Sequence, residues 1–414
     1  MWAELLVSAA LAAAPVVSAL PSGDTLVVVA DDTVPLVAVR IDLPAGRLSP
    51  WWQRTHAAAA WHLPLTDPTR RDALAAQMSL SLRHDDWRTT LEARFHAEDT
   101  DAAVSALAEL LAAEGGHPDA LRAWRQGTAE APWMAADRGA QSVLRALAAR
   151  AVLGDGDPRQ SLPTTGRLRR RRVRQAQAHL SRLPGRVIGF AGDITAEEAR
   201  DAAAQILPAP LPRAPTGLAP SLPDAPAARP ASARARAPAR ARGWVLTARP
   251  GLAASDPDLP ALWLAMHALS ASGRSRMYQT LRHEQGLVYA VDTQLGTGPE
   301  PGVLMVVTAC RLVNLEPVAA ASRAEVDRFA ADGLTDAELR AAKAALRQAA
   351  AQQAGAPDAA LHAAVEQRSG GTNLVALAAA ADTLSLGAVN SFVADFFGPG
   401  SITVITVLPG GSLE

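Results

Sequence analysis

Both tyrosines of the 414-residue chain, Tyr278 and Tyr289, stand in a single stretch that runs from Ser272 to Val291. Within it, Arg282 falls at the expected end of a helix, Gly286 makes a turn and Tyr289 sits just inside the next strand. That geometry can bring the arginine and the phenol together. A guanidinium offers fixed donors and no acceptor, and the phenol adds another donor, so the pair suits a carbonyl oxygen or a developing oxyanion. The same two residues also fit a plainer role, with the arginine capping helix carbonyls and the tyrosine packing on a sheet.

Other candidates carry less chemistry. His56 and His62 are six positions apart, whereas two histidines on one helix that share a zinc ion stand four apart. His84-Asp85-Asp86 crowds three ligands too closely in sequence for a good tetrahedral site and reads as a polar turn. No Gly-x-Ser-x-Gly elbow is present. The run Arg167 to Arg174 reads as a solvated helix face, with phosphate or acidic-partner binding as its functional alternative. Cys310, the only cysteine, excludes an intrachain disulfide and multi-cysteine metal sites.

The elements that must position these residues follow from periodicity. Alternation predicts strands over Leu26–Ala30 and Pro35–Leu43, the second half-buried around Val37, Val39 and Ile41. Polar-alternating stretches follow from Met78 to Phe95, then a helix over Asp101–Ala113, helical segments between Pro118 and Arg182, and a strand over Arg186–Gly192. Thr195 with Glu198 is a capping box that opens a helix. The second half begins with a strand at Gly243–Ala248 and a long helical region from Pro260 to about His283. A hairpin of Leu287–Leu295 with Val303–Cys310 comes next, then a helix over Glu316–Ala331 and a second capping box, Thr335 with Glu338. A helix over Val389–Phe397 and a strand over Ile402–Leu408 close the chain. Both halves therefore hold strand pairs, helices and a closing strand. The predicted class is α+β, two similar layered domains in which a duplicated, antiparallel-rich sheet packs against helices.

Between them, residues 207–242 consist almost wholly of Pro, Ala, Arg, Leu and Ser, which predicts an extended linker that neither sustains a helix nor pairs in a sheet. The domains are then 20–206 and 243–414. The length exceeds what one hydrophobic core usually fills, about 250–300 residues. Forty basic against forty-one acidic side chains leave a net charge of −1, so no global field draws the chain to nucleic acid or anionic lipid. Residues 1–19 are read as a signal peptide, with an apolar stretch from Leu5 and the small-x-small pattern Val17-Ser18-Ala19; a buried N-terminal helix is the other reading. Export, to the periplasm in a bacterium, is the expectation. No later apolar run approaches the ~20 residues a membrane-spanning helix needs.

The segment Leu281-Arg282-His283-Glu284-Gln285-Gly286-Leu287-Val288-Tyr289 resembles the Leu-Arg-Glu-x-x-Gly-Leu-x-Tyr of the second domain of the pitrilysin/insulinase peptidases, with His283 in place of the glutamate. Gly333 to Leu339 with Lys343, Pro35 to Gly46, and Gly192-Asp193 are collinear further echoes. The resemblance implies a peptidase-like fold for both domains. Active members carry His-x-x-Glu-His after the first strand, two zinc histidines and a glutamate base. The corresponding stretch here, Arg54 to Leu63, supplies no such set. Some bacterial members divide the work between two chains. By that resemblance this is the non-zinc subunit: it binds no cofactor itself, and zinc resides in a homologous partner of a heterodimer. Arg282 and Tyr289 would hold the carbonyls of an extended peptide that enters along a sheet edge. The alternative is a non-catalytic binding or assembly protein on the same fold.

Overall fold

The computed structural model describes residues 14–46, 74, 76–112, 135–154, 157, 170–210, 231–237, 242–355 and 358–410. The chain divides into two compact units. One comprises Met1–Ala131, Pro163–Ser221 and Gln353–Ser369; the other comprises Pro132–Leu162, Leu222–Gln352 and Gly370–Glu414. Each unit is a sheet layered with helices, as the alternating patterns predict. The exchange of segments was not predicted: residues late in the chain complete the first unit, and residues from the first half complete the second.

In the first unit, strands β1 (Val16–Ala19), β2 (Thr25–Ala30), β3 (Leu36–Leu43), β4 (Ser79–His84), β5 (Thr89–His96) and β6 (Val187–Gly192) form a six-stranded sheet in the order β1-β2-β6-β3-β5-β4. β2 and β6 run parallel, and the other pairs are antiparallel. Helices α1 (Thr100–Ala112) and α4 (Ala196–Ile206) cover one face, where Leu107, Leu110, Ala199 and Ala203 join Val37, Val39, Ile41 and Phe190 in a common core. The capping box forms as expected: Thr195 Oγ1 accepts from the Glu198 amide, and the Thr195 amide donates to the Glu198 carboxylate at 2.8 Å.

The opposite face is closed by α9 (Ala359–Arg368), whose Leu361 and Val365 are fully buried against Val27, Val29, Ala38 and Ala191. Burying a side chain of that size contributes roughly 1.5–3 kcal/mol. The helix comes close enough that a Cβ at Gly189 would lie 2.3 Å from Leu361 Cδ1. A glycine in the middle of β6 is what admits it. This corrects the reading of β3 as half-buried: seven of its eight positions are buried, because both faces are covered. Alternation in sequence marked only the face that packs on apolar residues. The other face, with Arg40 and Asp42, is equally enclosed but ionic.

The second unit holds a five-stranded sheet of β7 (Ser232–Ala237), β8 (Gly243–Pro250), β9 (Val288–Leu295), β10 (Val303–Cys310) and β11 (Thr403–Pro409), in the order β7-β11-β8-β10-β9. Its main core lies under α5 (Leu259–Leu269), α7 (Leu315–Asp332), α8 (Asp336–Ala354), α10 (Leu374–Thr383) and α11 (Leu386–Phe397). The other face packs on α2 (Ala135–Leu153), through Leu144, Ala148 and Val152 against Leu246, Met305 and Ile405.

Two further expectations are corrected. The segment 207–242 is not wholly a linker, since residues 232–237 form β7, parallel to β11. Ala233 and Ala235 pack on the α2 cluster, and Arg234 points to Glu316 at 2.6 Å. The helical region from Pro260 to His283 is broken after Leu269 at Ser270-Ala-Ser-Gly273, where the Ser270 hydroxyl bonds Thr293 at 2.7 Å, and it resumes at Arg276. Val16–Ala19, at the end of the stretch read as an export signal, forms β1 with Val16 opposite Val28. Helices α9 and α10 escaped prediction. Both are alanine-rich with little periodicity, although Asn373 does cap α10 by accepting from the Val375 and Ala376 amides. Among the described residues no single helix is long and apolar enough to cross a membrane.

Candidate functional site

Arg282 is set by the short helix α6 (Arg276–Tyr278) and the π-type turn that continues it over Gln279–Glu284. Met277 and Leu281 are fully buried and anchor the segment; their spacing leaves Arg282 to Glu284 outside. Such widened turns are uncommon and recur at functional positions. Gly286 then reverses the chain at φ 62°, a left-handed conformation that favours glycine, and the Leu287 amide returns to the Leu281 carbonyl at 2.9 Å.

Arg276 pins this segment from the helix side. Its Nε and Nη2 donate to the two oxygens of Glu338 at 2.7 and 2.8 Å, Nη2 also donates to the Gly333 carbonyl at 2.6 Å, and its guanidinium lies 5.1 Å from the Phe329 ring centroid. Glu338 simultaneously accepts from the Thr335 amide, so the second capping box and the Arg276 clip share one carboxylate. Partial burial alone would raise the pKa of Glu338, but hydrogen bonds from Arg276 and Thr335 outweigh it and hold the carboxyl at about 2.

Arg282 Nη1 donates to the Val288 carbonyl at 3.0 Å, immediately before Tyr289. The two predicted site residues therefore meet at one end of the sheet, joined through the backbone; no hydrogen bond links their side chains. Arg282 does bind a carbonyl, but one on the strand and not on its own helix. Tyr289 is 49% exposed and does not pack into the core. Two residues that sequence reading missed surround it. Arg311, just after β10, donates from Nε to Tyr289 Oη at 3.4 Å, and Arg242, just before β8, lies 5.7 Å from the ring centroid. In a chain whose basic residues are nearly all arginine, neither carries a local signal. β9 is the outer strand of its sheet, so its far edge is unpaired among the described residues.

The other candidates fall elsewhere. His56, His62 and the rest of Arg54 to Leu63 lie outside the described residues, as do Arg167 to Arg169. Arg170 to Arg174 begin α3 (Arg170–Leu180), where Arg171 is exposed and Val173, Ala176 and Leu180 are buried, the pattern of a solvated helix face. His84 and Thr89 share a 2.7 Å contact at the β4–β5 turn. Cys310 is fully buried, and burial pushes its thiol up to about 11, which withholds the reactive thiolate at neutral pH. Among the described residues no three His, Cys, Asp or Glu side chains converge as a metal site.

A buried ionic cluster in the first unit was also missed. Arg40, 2% exposed, donates to Asp42 and to Glu366, and Arg88 donates to the same two carboxylates. Burial opposes both charges of the Arg40–Asp42 pair. Mutual attraction overcomes this, holding Asp42 below and Arg40 above their usual ranges. Every carboxylate named here already faces an arginine, so the cluster reads as a fastening for α9.

Residues 170–346 match the peptidase M16 inactive domain. A stretch of 95 residues is 33% identical to an uncharacterized zinc protease of Streptomyces coelicolor, covering 23% of this chain and 21% of that relative, about a fifth of its length. The fold is similar to that of a peptidase M16 inactive domain from Pseudomonas fluorescens, with a TM-score of 0.73 at 16% identity over 97% of this chain and 99% of the other. It is also similar to the periplasmic protease PqqL from Escherichia coli, with a TM-score of 0.73 at 14% identity over 96% of this chain and 46% of that one.

Proposed function

We propose that the chain, whose residues 170–346 match the peptidase M16 inactive domain, is a catalytically incomplete subunit of a pitrilysin/insulinase (M16) peptidase. It supplies Arg282 and Tyr289 to a zinc-bearing homologous partner that hydrolyses extended peptides. The observation that carries this reading is the position of Tyr289, exposed at the start of an edge strand whose far side is unpaired among the described residues, and one residue from the carbonyl that Arg282 holds. A peptide added to β9 finds backbone partners along the edge. Its carbonyls then come within reach of the phenol and the remaining guanidinium donors, which are suited to an oxygen that gains negative charge. Zinc in the partner would supply an activated water; this chain binds and orients.

Reconstitution tests the reading. Mixing the chain with a homologue that carries His-x-x-Glu-His should release peptidase activity that neither protein has alone. Loss of that gain in Arg282→Ala supports the role of the pair, and unchanged activity refutes it.

A second reading, a binding or assembly protein without a part in catalysis, is favoured by the Arg282–Val288 bond, which already occupies one guanidinium donor. Tight association with a zinc-bearing homologue, with no activity gained, would select it. Export to the periplasm rests on the Leu5 to Ala19 pattern and on the periplasmic location of one structural relative. N-terminal sequencing of the exported protein tests it.

A further inference from the structure

We propose that Arg242 and Arg311, which flank the Tyr289 side chain, form with Arg282, held on the preceding carbonyl, a binding site for a carboxylate of the incoming peptide; this rests on the reading that β9 receives peptides. The register explains why these residues meet. Gly243 of β8 pairs with Cys310 of β10, and Cys310 pairs with Val288 of β9. The residues just outside these positions, Arg242 and Arg311, therefore stand beside Tyr289 at one end of three adjacent strands. Strands lie ~4.8 Å apart, within the span of an arginine side chain. Arg242 reaches the Tyr289 ring and Arg311 reaches its oxygen.

All three guanidinium groups are exposed, and none forms an ion pair with a described carboxylate. Several arginines of the same unit are paired: Arg234 with Glu316, Arg276 with Glu338 and Arg347 with Asp382. Because Tyr289 Oη accepts from Arg311, its own O–H is left to serve another acceptor. The site thus offers planar forked donors plus a phenol, the complement of a carboxylate. On a chain with net charge −1 this concentration of positive charge is local.

Strand polarity selects among carboxylates. Tyr289 lies at the N-terminal end of β9. A peptide that adds antiparallel brings its C-terminal end to that position. The main-chain terminal carboxylate is the preferred occupant, and an Asp or Glu side chain near that end offers the same chemistry.

Anisotropy of an N-terminally dye-labelled, β-prone peptide, titrated with the full chain, distinguishes these cases. Three forms are compared: the free acid, the C-terminal amide, and an amide with Glu as its last residue. The free acid should bind roughly tenfold tighter than the plain amide, as expected for hydrogen bonds to a charged group. The difference should shrink with added NaCl and collapse in Arg242→Gln/Arg311→Gln. Recovery of affinity by the Glu-ended amide also supports the site and assigns the charge to a side chain. Equal binding of the acid and both amides overturns the carboxylate site while the edge-binding reading stands, a result read on the wild-type chain without any variant. No binding by any form overturns both.

Discussion

Arg40 and Glu366 stand 326 positions apart in the chain, yet their side chains meet at 2.6 Å where α9 lies on β3. Arg88 completes the contact at 2.5 Å on the other Glu366 oxygen, so one carboxylate on a late helix bridges two arginines of the early sheet. Removing Glu366 leaves two largely buried arginines to share Asp42. Glu366→Ala should therefore lower unfolding stability by about 3–5 kcal/mol, measured by urea titration. A loss under about 1 kcal/mol would mean that water or other groups satisfy Arg40 in its place.

Docking of α9 also depends on Gly189. Gly189→Ala places a methyl 2.3 Å from Leu361 Cδ1 and 3.0 Å from Val365 Cγ2, both fully buried. Overpacking of this kind costs about 1–3 kcal/mol. In a Leu361→Ala background the same change should be nearly neutral, and a double-mutant cycle by thermal melting reads the coupling. Additive effects would show that α9 does not press on β6 there.

The Arg276–Glu338 clip carries a pH signature. The folded pKa of Glu338, about 2, lies below its ordinary 4.5, so its contribution to stability is present above pH 4.5 and is lost as pH falls toward 2. The stability difference between wild type and Glu338→Gln should be largest near neutral pH and shrink through that window. A difference that is flat from pH 6 to 2.5 contradicts a charged clip.

Arg282→Ala and Tyr289→Phe alter exposed side chains, so both variants should melt within a degree or two of wild type while reconstituted activity falls. For a donor to developing charge the expected loss in kcat is about 10²- to 10³-fold. A rise in KM with kcat unchanged would assign the pair to binding alone.

Local chemistry was legible in the sequence wherever the determining partners are close along the chain. Thr195 and Glu198, or Thr335 and Glu338, are three residues apart, so each capping box needs only its own helix turn. The stretch Leu281 to Tyr289 likewise carries its own turn at Gly286 and places Arg282 and Tyr289 at one sheet end without outside help. β7 shows the opposite case. Ser232–Ala237 is a strand because β11, about 170 residues later, supplies its hydrogen-bond partners, and composition alone cannot report that. The burial of Arg40 and Asp42 has the same origin, since only the return of α9 encloses an ionic face that alternation marks as solvent-facing. Arg242 and Arg311 acquire meaning only when the register of β8, β10 and β9 brings them to Tyr289. Hydrogen bonding within a turn is set by neighbours in sequence, whereas the pairing of charges and strand edges is set by where the chain returns in space.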